Sequence, residues 1–147
     1  MGLFDNVFGG GSASKPLTKA EAFAGILLGA VASDGHYSDE EVHGLFTILG
    51  RMKLYENWTG DKMSSMMNRL QSILKKDGLE KYLNRVCEAL AEDLRETVFA
   101  NACDLVLADG VVEDEEKEFL DTLQKKLEIS GDTALDIVQV MIIKNRG

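Results

Sequence analysis

From Thr18 onward, apolar side chains recur at helical spacing, and no stretch alternates long enough to read as a strand. Thr18 and Glu21 form a T-x-x-E capping box, followed by Phe23, Ile26, Leu27, Ala30 and Val31 on one face. This pattern predicts a helix to about Ser33, stopping at Gly35. A second helix should start after Ser38, with Val42, Leu45, Phe46, Leu49 and Met52 inward. The segment "LYENWTG" reads as a loop with Trp58 as a partly buried anchor. A third helix carries Met63, Met66, Met67, Leu70, Ile73 and Leu74 and ends at Asp77-Gly78. Its methionine stripe suits a core face better than an adaptable binding face. Leu79, Tyr82, Leu83, Val86 and Leu90 mark a fourth helix, and Leu94, Val98, Ala102, Leu105 and Val106 a fifth that stops at Gly110. Phe119, Leu120, Leu123 and Leu127 mark a sixth, and Leu135, Val138, Met141 and Ile142 a last one after "ISGD". The expected fold is all-α, a bundle of about seven helices.

The pattern breaks only at the start. Residues 1–17 comprise a short apolar segment, with Leu3, Phe4, Val7 and Phe8 on one face if helical, and a Gly/Ser-rich linker. The helical domain is expected over 18–147. The apolar segment is a candidate for docking on the domain, on a partner or on a membrane surface.

Composition narrows the function classes. Sixteen basic against 25 acidic residues leave a net charge of −9, which excludes a phosphate-tracking nucleic-acid binder and suits cations or basic partners. Cys87 and Cys103, the only cysteines, lie on apolar helical faces without metal-ligand spacing and read as reduced core residues. No apolar run approaches the roughly 18 residues of a membrane span, and no signal peptide is visible, so a cytoplasmic location is expected. The oligomeric state is left open, a homodimer included.

A repeat carries the candidate chemistry. At an offset of 75 residues, Val31, Asp34, Gly35, Asp39, Glu40, Glu41 and Leu45 match Val106, Asp109, Gly110, Asp114, Glu115, Glu116 and Leu120. Each copy reads as helix, Asp-Gly stop, short loop and acid-rich helix start, which suggests two helical hairpins related by a pseudo-twofold. Helix punctuation accounts for much of this. Gly35 and Gly110 suit left-handed helix stops, Ser38 and Glu41 make an S-x-x-E box, and the acids complement the helix dipole. Glu113 replaces the serine in the second copy and is a weaker cap by residue type.

The spacing also has a ligand reading. Asp34-Gly35-x5-Glu41 and Asp109-Gly110-x5-Glu116 reproduce the second half of a calcium loop, but its first half is missing. Ala30, Ala32, Leu105 and Leu107 stand where oxygen ligands belong, so neither turn should hold an ion alone. Facing each other, Asp34, Glu41, Asp109 and Glu116 would supply hard oxygens to one divalent cation, with calcium or magnesium favoured. Without an ion, such packing would be repulsive and would raise some carboxyl pKa values. Asp39, Glu40, Asp114, Glu115 and His36 are secondary candidates, and His43 and Asp39 sit one turn apart. No nucleophile–base grouping or phosphate loop appears, so nothing calls for an enzyme.

The stretches "MGLFDNVFG", "LFTILGRMKLYENWTGDK", "ANACDLVLADGVVEDEEKEFL" and "IVQVMIIKNRG", with the doubled [AS]-D-G-x5-E turn, resemble the TerB family of tellurite resistance proteins, closest to its cyanobacterial stand-alone form. The resemblance covers nearly the whole chain. It implies an all-helical, internally duplicated fold and an acidic metal-binding surface over Asp34, Glu41, Asp109 and Glu116. It also implies a role in tellurite or chemical stress, beside other resistance or stress-response proteins, some membrane-associated. The glycine-rich linker departs from the longer basic N-terminal region of the enterobacterial form.

Overall fold

A computed structural model describes residues 15–33, 39–108 and 110–147. The described chain forms seven α-helices and no strand: α1 (Lys19–Ala32), α2 (Asp39–Arg51), α3 (Gly60–Asp77), α4 (Leu79–Ala89), α5 (Arg95–Val106), α6 (Asp114–Lys126) and α7 (Gly131–Lys144). Short 3-10 turns at Lys53–Tyr55 and Glu92–Leu94 precede α3 and α5. The all-helical expectation holds, and the helices fall where the apolar spacing put them.

The bundle is organised around α1. Every residue from Ala22 to Val31 is buried, so this helix is covered on all sides rather than along one stripe. It packs against α2, α3, α4, α5 and α6. Small residues make that crowding possible. A Cβ on Gly25 would lie 2.8 Å from Val86 Cγ1, and one on Gly29 would lie 3.3 Å from the Phe119 ring. Two tyrosines lock the helix in place from outside. Tyr82 donates its hydroxyl to the Gly25 carbonyl at 2.5 Å, and Tyr55 donates to the Ala20 carbonyl at 2.6 Å. A tyrosine hydroxyl taken out of water needs such a partner.

The start of α1 is fixed by its sequence signal. The Glu21 amide donates to Thr18 Oγ1 at 3.1 Å, and the Thr18 amide donates to Glu21 Oε1 at 2.9 Å. Glu21 also holds Arg69 of α3 at 2.5 Å, both side chains being largely buried. Arg69 and Arg85 each donate to the Lys15 carbonyl, so the chain entering the domain is anchored to α3 and α4. Burial opposes ionisation of Glu21, but the Arg69 hydrogen bond and the Thr18 amide outweigh it and hold the carboxyl below its ordinary range.

Elsewhere the punctuation is equally local. Thr59 caps α3, accepting from the Lys62 amide at 3.1 Å, and Ser130 caps α7, accepting from Thr133 at 3.2 Å. Gly78, at φ +82°, separates α3 from α4. The methionine stripe turns inward, with Met66 and Met67 buried beside Leu70 and Ile73. Trp58 is the expected half-buried anchor, edge-on to Tyr55 with ring centroids 5.3 Å apart and under Lys62 Nζ at 4.2 Å. Asp104 does more than the exposed polar position its spacing suggests. It accepts from Lys144 Nζ and Asn145 Nδ2, each at 3.0 Å, and so ties the end of α7 to α5.

Candidate functional site: two acid-headed helices

The offset of 75 residues aligns α1–α2 with α5–α6, and six aligned pairs share burial while others, such as Ile26 with Asn101 and Leu49 with Gln124, do not. Phe23 and Val98, Ala24 and Phe99, Leu27 and Ala102, Leu28 and Cys103, Val31 and Val106, and Ile48 and Leu123 are buried in both copies. The hairpins also engage reciprocally: α1 meets α5, α2 meets α5, and α1 meets α6. The two cross-contacts share one aligned position, residue 44 with 119, while their other ends, Gly29 and Leu105, are one residue out of register. Phe119 of α6 presses on Gly29 of α1, while Leu105 of α5 reaches Gly44 of α2. Residue 44 becomes residue 119 under the offset, so one copy has glycine where the other has phenylalanine.

Both second helices open with acids: Asp39, Glu40 and Glu41 on α2, and Asp114, Glu115 and Glu116 on α6. Asp39, Glu40, Asp114 and Glu115 are exposed, and Asp114 makes only a loose 3.8 Å contact with Lys117. The third acid points inward in each copy. Glu41 is half-buried, and Glu116 is 7% exposed, the only buried charged residue among those described. Asp34, His36 and Asp109 lie outside the described residues, as do Leu3, Phe4, Val7 and Phe8. Gly110 has φ +78°, the left-handed stop its position predicts.

The cap at Glu113 works differently from the expectation. Glu113 is the N-cap, and its amide donates to Glu116 Oε1 at 2.9 Å. The inward carboxylate therefore closes the first turn, supported by the positive end of the helix dipole. Residue type at the cap position pointed to weakness because the bond runs from backbone to the residue three positions on.

One cleft borders this region. About 400 Å³ in volume, it lies between the end of α1 and helices α4 and α6, floored by Leu83 and Phe119 and rimmed by Ser33, Glu80, Glu115, Glu118 and Lys126. Its carboxylate-rich rim suits cationic groups. Among the described residues, no three His, Cys, Asp or Glu side chains gather closely enough to hold a metal ion, so Glu41 and Glu116 would need the turn aspartates to complete a site. Their oxygen chemistry fits a hard cation. The thiols fit no soft-metal or nucleophilic role. Burial pushes Cys87 up to about 11 and Cys103 up to about 12, far from the thiolate form at neutral pH.

The fold and the turns define a helical domain built on two interlocked hairpins, each with an acid-headed second helix. The chain belongs to the tellurite resistance protein TerB family, whose model matches residues 20–137 of its 147. No curated protein and no solved structure matches it. Among the described residues no helix is long and apolar enough to cross a membrane.

Proposed function

We propose that this chain is a non-enzymatic domain of the tellurite or chemical stress response that binds one divalent cation between its two acidic turns. Asp34, Glu41, Asp109 and Glu116 are the ligands, with Asp39, Glu40, Asp114, Glu115 and His36 in support. Calcium or magnesium suits the all-carboxylate set. The observation that carries the reading is the reciprocal packing of the hairpins, in which each acid-headed helix abuts the first helix of the other hairpin. The inward turn of Glu41 and Glu116, while their neighbours stay in water, supports it further.

Thermal unfolding of the full chain with calcium, magnesium, manganese or zinc against chelator tests this. A bound ion at a hundred times its dissociation constant stabilises by about 2.7 kcal/mol, a shift of several degrees. Glu41→Gln with Glu116→Gln should abolish the shift, and the glutamine at 116 can still accept the Glu113 amide. No shift at millimolar ion, or an unchanged shift in the double variant, refutes the ion site.

One observation favours a second reading. The Glu116 carboxylate already acts as a helix cap. The acids would then be caps and surface charge on an adaptor, with Leu3, Phe4, Val7 and Phe8 binding another resistance or stress-response protein. Capture of that partner would survive chelator and fail on deletion of the apolar segment.

A further inference from the structure

Among the described residues, the outer face of α7 carries the most exposed large apolar side chains. Of the six large apolar side chains exposed among the described residues, Leu135, Val140, Ile142 and Ile143 are on this helix. It packs chiefly on α5, burying Ala134 and half-burying Ile137, Val138 and Met141. Isolated exposed apolar residues are ordinary, but Leu135, Ile142 and Ile143 are neighbours on one side of the helix, whereas Val140 points elsewhere, and such a cluster is of the kind that marks an interface.

The order of residues along that face says what would cover it. Asp132, Leu135, Gln139 and Ile142 recur every three or four positions and so share one side, with Ile143 beside Ile142, and Arg146 follows just past the helix's end at Lys144. Two pairs of positions about Gln139 are matched in chemistry, although Ile142 has Asp136 as its counterpart. Asp132 and Arg146 are equidistant from it with opposite charges, and Leu135 and Ile143 are equidistant with matching apolar character. Lys144 is occupied by Asp104, whereas no ion pair within the described chain uses Asp132 or Arg146.

We infer that α7 pairs antiparallel with α7 of a second copy of this chain about a twofold axis at Gln139. Leu135 meets the partner's Ile143, the two glutamines meet on the axis, and Asp132 pairs with the partner's Arg146 at each end. Such an interface is isologous, and the antiparallel helix dipoles add to the attraction. Fourteen residues of helix are about 21 Å long, which places the contact at the small, reversible end of specific interfaces.

Sedimentation equilibrium of the full chain, over about 10 µM to 1 mM where a contact this small assembles, is the test. The average mass should climb from 16.1 kDa toward twice that value. Ile143→Glu should raise the dissociation constant at least about tenfold, as loss of a central apolar contact does. Asp132→Arg should also weaken association, and the double variant Asp132→Arg/Arg146→Asp should restore it. That rescue distinguishes pairing from simple damage to the helix. A mass of 16.1 kDa at every concentration overturns the inference, as does a dimer indifferent to Ile143→Glu or a double reversal that rescues nothing.

Discussion

The two hairpins follow one plan and enforce it with different means. The first begins at a complete capping box and is bolted to α3 by the buried Glu21–Arg69 pair. The second begins off the 3-10 turn at Glu92–Leu94 with no side-chain cap, and Glu96, the counterpart of Glu21, is exposed. At the acid-headed helices the balance reverses. Glu116 is sunk into its helix start, while Glu41 is only half-buried. The described polar fastenings of the two hairpins thus differ, with a buried ion pair at the entry of the first and a buried carboxylate cap at the second helix of the other.

Substituting equivalent core positions should break the parity most visibly. Phe23→Ala, in the fully enclosed α1, should cost about 4 kcal/mol, and its counterpart Val98→Ala about 2 kcal/mol, read from urea midpoints. Equal losses would mean that the two first helices share the core equally. Next comes the bolt. Arg69→Met should cost about 2 kcal/mol, since it strands a largely buried carboxylate, while Glu96→Gln should change stability by well under 0.5 kcal/mol.

The same bolt has a pH signature. The Glu21 carboxyl is held below its ordinary range when folded, so its contribution is present above the unfolded carboxyl pKa and is lost as pH falls through the folded one. Denaturation midpoints followed on acidification should fall less steeply for Arg69→Met than for the parent chain. An identical pH profile would show that Arg69 does not set the carboxyl's acidity.

The two glycines at the contacts between the hairpins give a smaller and sign-sensitive comparison. Gly29→Ala meets the Phe119 ring at 3.3 Å and Leu83 at 3.4 Å, both in the core, and should destabilise by about 1 kcal/mol. Gly44→Ala meets only the tip of half-buried Leu105 at 3.2 Å, so the helix-propensity gain should leave it neutral or more stable by about 0.5 kcal/mol. Comparable in size is the cap on the second acid-headed helix: Glu116→Ala should cost about 1 kcal/mol through the lost Glu113 amide bond, measured without added divalent ion.

Much of this plan is legible in the sequence because its signals are local. The T-x-x-E box, the Asp77-Gly78 stop and the helical spacing of the apolar residues each act within a turn or two, and each appears where its spacing puts it. The doubled acid turn is equally local, so its residues could be named from spacing alone. What spacing does not encode is which helix the others surround. The centrality of α1 depends on Gly25 and Gly29 meeting Val86 and Phe119, from helices far along the chain. Asp104 shows the same limit, since its partners Lys144 and Asn145 lie some forty positions away. The Glu113 cap was misjudged at short range, because residue type at the cap says nothing of a carboxylate returning from the next turn.

The enclosure of α1 has a consequence for the order of events in the cell. Ten successive residues, Ala22 to Val31, have no water-facing side once folded, yet α4, α5 and α6, which cover much of that surface, are synthesised later. On the ribosome this helix must wait, exposed, until nearly the whole domain has followed it. Folding is therefore gated by the arrival of the second hairpin, and a chain interrupted before α6 presents its greasiest segment to chaperones and to other nascent chains.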